Sequence, residues 1–174
     1  MDLAYLRIEK LTTQTHDSPI GGLELSARAG RIIGLRFGAQ HEAQFQAPFA
    51  SPEDQKVLDQ ACQQLDEYFA SQRTRFDVPV ALQGTAFQVK VWSMLHRIPF
   101  GKMVSYNQIA QALGRGCARS VGTANGANPL PILIPCHRVI ASDGTLGGYS
   151  GGLQAKQTLL DLEYAGAELY AAAR

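Results

Sequence analysis

Between Val78 and Ser142 the chain has no aspartate and no glutamate, yet it carries six basic residues there: Lys90, Arg97, Lys102, Arg115, Arg119 and Arg138. Residues 1–77 hold eight basic and eleven acidic side chains, and residues 143–174 hold two and four, so the net charge of +1 hides an asymmetry. A stretch without carboxylates suits a polyanionic partner, because nearby acids would repel phosphates. Chance, in a segment rich in Gly, Ala and Ile, is the plainer explanation. Six charges predict moderate, salt-sensitive binding. Cysteine is scarce too. Cys62, Cys117 and Cys136 are odd in number, widely spaced and without a C-x-x-C pair or a cysteine-histidine cluster. That excludes a disulfide framework and a structural zinc site, and no metal or cofactor is expected. No apolar run is long enough to span a bilayer, and Met1-Asp2-Leu3-Ala4-Tyr5 is not a basic region leading into a hydrophobic one. A cytoplasmic protein without membrane contact is expected. The 174 residues suffice for one large domain or two small ones.

The first third reads as a small antiparallel sheet. Strands are predicted at Leu3–Lys10, at Leu23–Ala27 and at Ile32–Phe37, with Ala29-Gly30-Arg31 as a hairpin turn. Ser51-Pro52-Glu53-Asp54 opens a helix, with a capping serine, an early proline and acids at the positive end of the dipole. Val57, Leu58, Ala61, Leu65, Tyr68 and Phe69 recur in it at helical spacing, and Cys62 among them reads as core. After a polar link at Gln72–Pro79, a helix is predicted over Thr85–Arg97 and a short one over Tyr106–Leu113, capped by Ser105. Gly114-Arg115-Gly116 turns the chain into a small-residue helix over Ala118–Gly126. Two short helices joined by a glycine turn fit a helix-turn-helix, although many helical hairpins bind nothing. The glycine-rich stretch 144–152 lacks the lysine and spacing of a phosphate-binding loop. A last helix is predicted from Leu153 to about Glu163, where the glutamate would oppose the helix dipole. There Glu163 is either a surface residue or a partner for His137.

The chemistry concentrates at Pro135-Cys136-His137-Arg138. Cationic neighbours lower a cysteine pKa below its free value of about 8.5 and favour the reactive thiolate. The flanks Ile132-Leu133-Ile134 and Val139-Ile140 predict a buried short strand holding the sulfur at the floor of a pocket. From these residues alone, a small core cysteine is the equally weighted alternative.

Pro135-Cys136-His137-Arg138-Val139 resembles the active-site signature of the alkylguanine-DNA alkyltransferases, the methylated-DNA–protein-cysteine methyltransferases. The similarity extends, in order, through Phe87-Gln88-x-x-Val91-Trp92, Ile98-Pro99-x-Gly101, Ser105-Tyr106, Ala118-Arg119-x-Val121-Gly122, Asn125-x-x-Asn128-Pro129 and Gly147-x-Tyr149-Ser150-Gly151-Gly152. The N-terminal third fits more loosely, as the family's variable small domain. The resemblance implies an α/β (α+β) fold. An N-terminal antiparallel-sheet domain would span 1–80, and a mainly helical domain over 81–174 would carry a helix-turn-helix and a short active-site strand. It also implies a single-use repair reaction on O6-alkylguanine, and on O4-alkylthymine, in double-stranded DNA, by a monomer whose cooperativity on DNA is open.

In that likeness Cys136 accepts the alkyl group, His137 takes the thiol proton through a water, and Glu163 orients His137. Tyr106 donates to the guanine ring nitrogen, while Asn128 supports the turn before the active-site strand. Ser150 donates to O6, carbonyls at Cys136 and Val139 read the exocyclic amine, and Tyr149 and Gly151 line the base pocket. Ala118, Ser120, Gly122 and Arg115 face DNA with Arg119, which is favoured over Arg115 to fill the space of a flipped base. Two rivals fit less well. A thiol hydrolase needs an oxyanion site and a base touching the sulfur, for which an adjacent His137 is poorly placed. A lesion-binding relative without transfer lacks the cysteine, whereas Cys136, His137 and Glu163 are all present.

Overall fold

The computed structural model describes residues 11–38, 51–114 and 116–172. Strands β1 (Thr12–His16), β2 (Leu23–Arg28) and β3 (Arg31–Phe37) form an antiparallel sheet in that order. Leu23, Leu25 and Ala27 of β2 are fully buried, as their alternation with polar neighbours predicts. Ala29 and Gly30 both have positive φ, 51° and 67°, the conformation that matches a tight hairpin to the strand twist. The predicted strand at Leu3–Lys10 lies outside the described residues. The strand paired with β2 is Thr12–His16, whose polar sequence carries no hydrophobic alternation to announce it.

Helix α1 (Pro52–Phe69) covers the sheet with Val57, Leu58, Ala61, Leu65 and Tyr68. Ser51 occupies the cap position without a side-chain capping bond. Asp54 in the first turn instead accepts from the Gly30 amide at 2.7 Å and from Thr12 Oγ1 at 3.2 Å, which pins the helix start to the hairpin. Cys62 is buried in this layer, and burial first, then Asp59 and Asp66, push its thiol up to about 12. A thiol so raised is inert at neutral pH.

The second half contains α2 (Ala86–Leu95), α3 (Tyr106–Ala112), α4 (Ala118–Gly126) and α5 (Gly152–Ala172), with a two-residue parallel pairing of β4 (Val104–Ser105) to β5 (Val139–Ile140). Reciprocal capping boxes start α2 (Thr85 with Gln88) and α3 (Ser105 with Gln108). Trp92, buried on α2, donates from Nε1 to the Ala124 carbonyl of α4 at 2.8 Å. One buried cluster runs from the sheet through α1, α2 and α4 to Leu159 of α5. The sheet meets the segment leading to the cysteine directly, the Leu35 amide donating to the Pro129 carbonyl at 2.9 Å.

Two expectations are corrected. Cys136 does not lie in a strand: Cys136–Arg138 is a single 3-10 turn, and extended backbone begins only at Val139. Proline at 131 and 135 removes two ladder donors. The Ile134 amide turns back to the Leu130 carbonyl at 2.8 Å, and Ile132 takes a φ of +73°. Helix α5 does not end near Glu163 but continues to Ala172. Glu163 therefore sits in mid-helix, away from the dipole's negative end.

Candidate active site

The turn at Cys136–Arg138 is held from three sides. Asn128, at the end of α4, donates from Nδ2 to the Ile134 carbonyl at 2.8 Å and accepts from the Leu130 amide at 3.0 Å. Asn125 on α4 donates to the Cys136 carbonyl at 3.4 Å. From α5, Lys156 donates to the Val139 carbonyl at 2.6 Å and to the Leu146 carbonyl. Helix α4 and helix α5 thus both fix the backbone around the sulfur.

Glu163 is the centre of the polar network. Its Oε1 accepts from His137 Nε2 at 2.8 Å, Arg138 Nη2 at 2.8 Å and the Tyr68 hydroxyl at 2.7 Å; its Oε2 accepts from Arg138 Nε at 2.8 Å and the Gly101 amide at 3.1 Å. Gly101 can approach because its φ is +70° and a Cβ there would lie 2.6 Å from the Ala167 Cβ. Burial would raise the Glu163 carboxyl, but hydrogen bonds from His137 and Arg138 outweigh it and hold the group at about 2. His137, wholly buried, is shifted the other way: desolvation lowers it, with Glu163 opposing and Arg138 and Lys156 adding to the fall. The two shifts agree if Arg138 is the cation balancing Glu163 and His137 is neutral. With Glu163 an acceptor, the His137 proton belongs on Nε2, which leaves Nδ1 with a free lone pair. Nδ1 is buried and has no hydrogen-bond partner among the described residues, and neither has the Tyr149 hydroxyl. The two rings stand edge to face, 6.3 Å apart.

Cys136 is 2 % exposed. Desolvation pushes its thiol up to about 11, against the lowering effects of the Asn128 amide, Lys156 and local backbone donors. The expectation of a cation-depressed thiol is therefore corrected: Arg138 spends its charge on Glu163, and burial dominates the sulfur. Lys156 is itself pulled down to about 8 by burial, with Cys136 opposing. Tyr106, at the start of α3, is half-buried; burial and then Cys136 raise its phenol, so it stays a hydrogen-bond donor. Gly147, with φ +65°, lies so close that a Cβ there would be 3.1 Å from the Tyr106 hydroxyl.

The remaining predicted residues fall in two groups. Ser150 is exposed and, with Phe37, Asn128 and Pro129, lines a hollow of about 610 Å³ beneath β3. Tyr149 packs on Phe37, and a Cβ on Gly151 would lie 3.0 Å from that ring. Val139 is fully buried with its carbonyl on Lys156. Across α4, Arg119 is exposed, while Ala118, Ser120 and Gly122 are partly exposed. Ser120 closes the helix start by accepting from the Cys117 amide at 3.0 Å. Arg115 lies outside the described residues.

Sequence reasoning passed over Tyr68, Lys156 and the role of Arg138. One signal was available: Lys156, Leu159, Leu160 and Glu163 share the inner stripe of α5, so two charges sit at core positions of one helix. Charges there demand partners. Among the described residues no cluster of histidine, cysteine or carboxylate could hold a metal, and no helix is long and apolar enough to cross a membrane.

The chain is similar to known proteins over most of its length. Residues 11–82 match the family model for the ribonuclease-like domain of 6-O-methylguanine DNA methyltransferase, and residues 86–165 match the model for its DNA-binding domain. A methylated-DNA–protein-cysteine methyltransferase of Mycolicibacterium paratuberculosis is 45% identical over 151 residues, covering 86% of this chain and 90% of the relative. The constitutive one of Bacillus subtilis is 40% identical over 153 residues, covering 86% and 93%. The solved structure of Mycobacterium tuberculosis OGT in complex with DNA superposes with a TM-score of 0.77 at 42% identity, covering 88% of this chain and 93% of that one. Two family models in tandem, relatives of 40% and 45% identity over about nine-tenths of their length and a shared fold make this chain a member of the methylated-DNA–protein-cysteine methyltransferase family.

Proposed function

We propose that the protein repairs O6-alkylguanine, and O4-alkylthymine, in double-stranded DNA by moving the alkyl group irreversibly to Cys136. The observation that carries this reading is a buried cysteine followed by a buried histidine whose Nε2 is held by Glu163 and whose Nδ1 has no partner among the described residues. The thiol proton passes through a water to Nδ1, the sulfur attacks the alkyl carbon, and the carbon–oxygen bond breaks. Tyr106, kept protonated, donates to the leaving guanine. Ser150 and the Cys136 and Val139 carbonyls hold the base, with Tyr149 and Gly151 as walls and Asn128 bracing the turn. A thioether product is beyond thiol exchange, so each molecule acts once.

A thiol titrating near 11 is almost wholly protonated at pH 7, so the base must act during attack. Burial that raises the thiol also removes the water that would otherwise solvate a thiolate, and Lys156 supplies compensating positive charge nearby. Lys156→Met is expected to slow single-turnover transfer about tenfold, the effect of one unit in thiol pKa. An unchanged rate would remove Lys156 from the account.

On the DNA side, α3 and α4 act as a helix-turn-helix in a C-terminal domain beginning at residue 81, after a sheet domain over 1–80. The damaged base turns out of the duplex, and Arg119 at the exposed start of α4 fills the gap. Lost pairing at the lesion makes extrusion cheaper there. Arg119→Ala should weaken duplex binding and flatten its salt dependence by about one unit of slope, measured by titration at several salt concentrations. Unaltered binding and repair would transfer the role to Arg115. For the reaction itself, the methyl lost from an O6-methylguanine duplex should equal the protein added, mole for mole. Continued turnover contradicts the proposal.

A further inference from the structure

We propose that Tyr68, a residue of α1 in the sheet-bearing half, is a positioning residue of the transfer site: through its hydroxyl on Glu163 it sets how firmly Glu163 holds His137, and so how basic His137 is. This rests on the reading of Cys136 as acceptor and His137 as its base.

The contact crosses 95 positions of sequence. Tyr68 Oη, His137 Nε2 and Arg138 Nη2 all donate to the one oxygen, Glu163 Oε1. A carboxylate oxygen offers about two lone-pair sites, so three donors share its charge. The ring is locked among Phe69, Phe76 and Phe100, at centroid distances of 5.3, 5.2 and 6.1 Å. Phenylalanine would fill that space equally well, and a buried hydroxyl is costly unless bonded. What distinguishes tyrosine here is the bond to Glu163. Burial and the neighbouring carboxylate push the phenol well above its ordinary range, so it remains a donor.

Each donor on Oε1 draws charge away from the His137 Nε2 proton and makes imidazolium less favourable. The other groups facing this centre are Arg138 and Lys156, which also disfavour imidazolium, and the uncharged Tyr149 and Cys136. Without the Tyr68 hydroxyl, more of the carboxylate's charge falls on His137 and its pKa rises. Transfer requires neutral His137, so the rate falls as pH drops through that pKa. In Tyr68→Phe this acid limb moves to higher pH by about half a unit to one unit, with a plateau within a few-fold of the parent.

The test compares full-length parent, Tyr68→Phe and Phe76→Leu, the last thinning the same aromatic packing while keeping the hydroxyl. Two quantities are read: the single-turnover methyl-transfer rate from an O6-methylguanine duplex across pH, and the His137 Nε2 proton resonance, which needs no substrate. An upward shift of the limb and a downfield move of the resonance in Tyr68→Phe alone support the proposal. Superimposable profiles with an unmoved resonance overturn it. Equal shifts in Phe76→Leu also overturn it, because packing would then be the cause. If the parent transfers no methyl group, the reading of Cys136 fails, and the resonance still decides the role of Tyr68.

Discussion

Cys136→Ser is expected to abolish alkyl transfer while leaving affinity for an alkylated duplex intact. The hydroxyl is a far weaker nucleophile than the thiol, and at the thiol it replaces burial outweighs the lowering effects of Asn128, Lys156 and the backbone donors. Loss of about a thousandfold or more in rate corresponds to about 4 kcal/mol of barrier. Binding survives because Cys136 is 2 % exposed and so makes almost no part of the outer surface. Serine is nearly isosteric and leaves the turn's bonds to Asn125 and Asn128 in place. Single-turnover assays and duplex titrations on one preparation check both halves of the expectation, and transfer at even a tenth of the parent rate would overturn the assignment of the acceptor.

Glu163→Gln should be the most damaging isosteric change outside the cysteine. An amide has one acceptor oxygen where the carboxylate serves five donors, and its NH₂ would face the Arg138 or Gly101 N–H. Arg138, 6 % exposed, would lose its counter-charge, which costs about 3–5 kcal/mol for a buried pair broken on one side. The pH dependence has a definite sign. The folded Glu163 carboxyl titrates at about 2, below its ordinary 4.5, so its contribution is complete above pH 4.5 and is lost as pH falls from there toward 2. The stability gap between parent and Glu163→Gln in denaturant unfolding is therefore widest near neutrality and narrows below pH 4.5. A gap that stays constant across that window would mean the carboxylate's charge is irrelevant. Transfer should fall with stability, since an uncharged amide oxygen holds the His137 Nε2 proton more weakly than the carboxylate does.

Local signals carried much of the architecture. Capping residues at Thr85 and Ser105, the alternation of Leu23, Leu25 and Ala27, and the apolar stripe of α1 are each decided within a few residues, and the structure has those elements near their expected bounds. The turn around Cys136 was misread because an apolar run flanked by prolines looks like a buried strand. Its true shape depends on Asn128, Asn125 and Lys156, which bond its backbone from other elements. The thiol's environment was misread for a related reason. Adjacency to His137 and Arg138 in sequence suggested positive charge at the sulfur, but both side chains are directed to Glu163, 26 and 25 positions away. Tyr68 is the extreme case: its helical spacing marks it as core, and nothing local tells that its hydroxyl reaches the same carboxylate.

The central claim is that Cys136 is the atom-level destination of the alkyl group. Intact-mass measurement after mixing with a duplex containing O6-methylguanine, followed by peptide mapping, tests it most directly. A gain of one methyl group per chain, saturating there and confined to the peptide at Cys136, is the predicted result. Tight binding to the lesion with no gain in mass, or a methyl group mapped to Cys117 or Cys62, would contradict it.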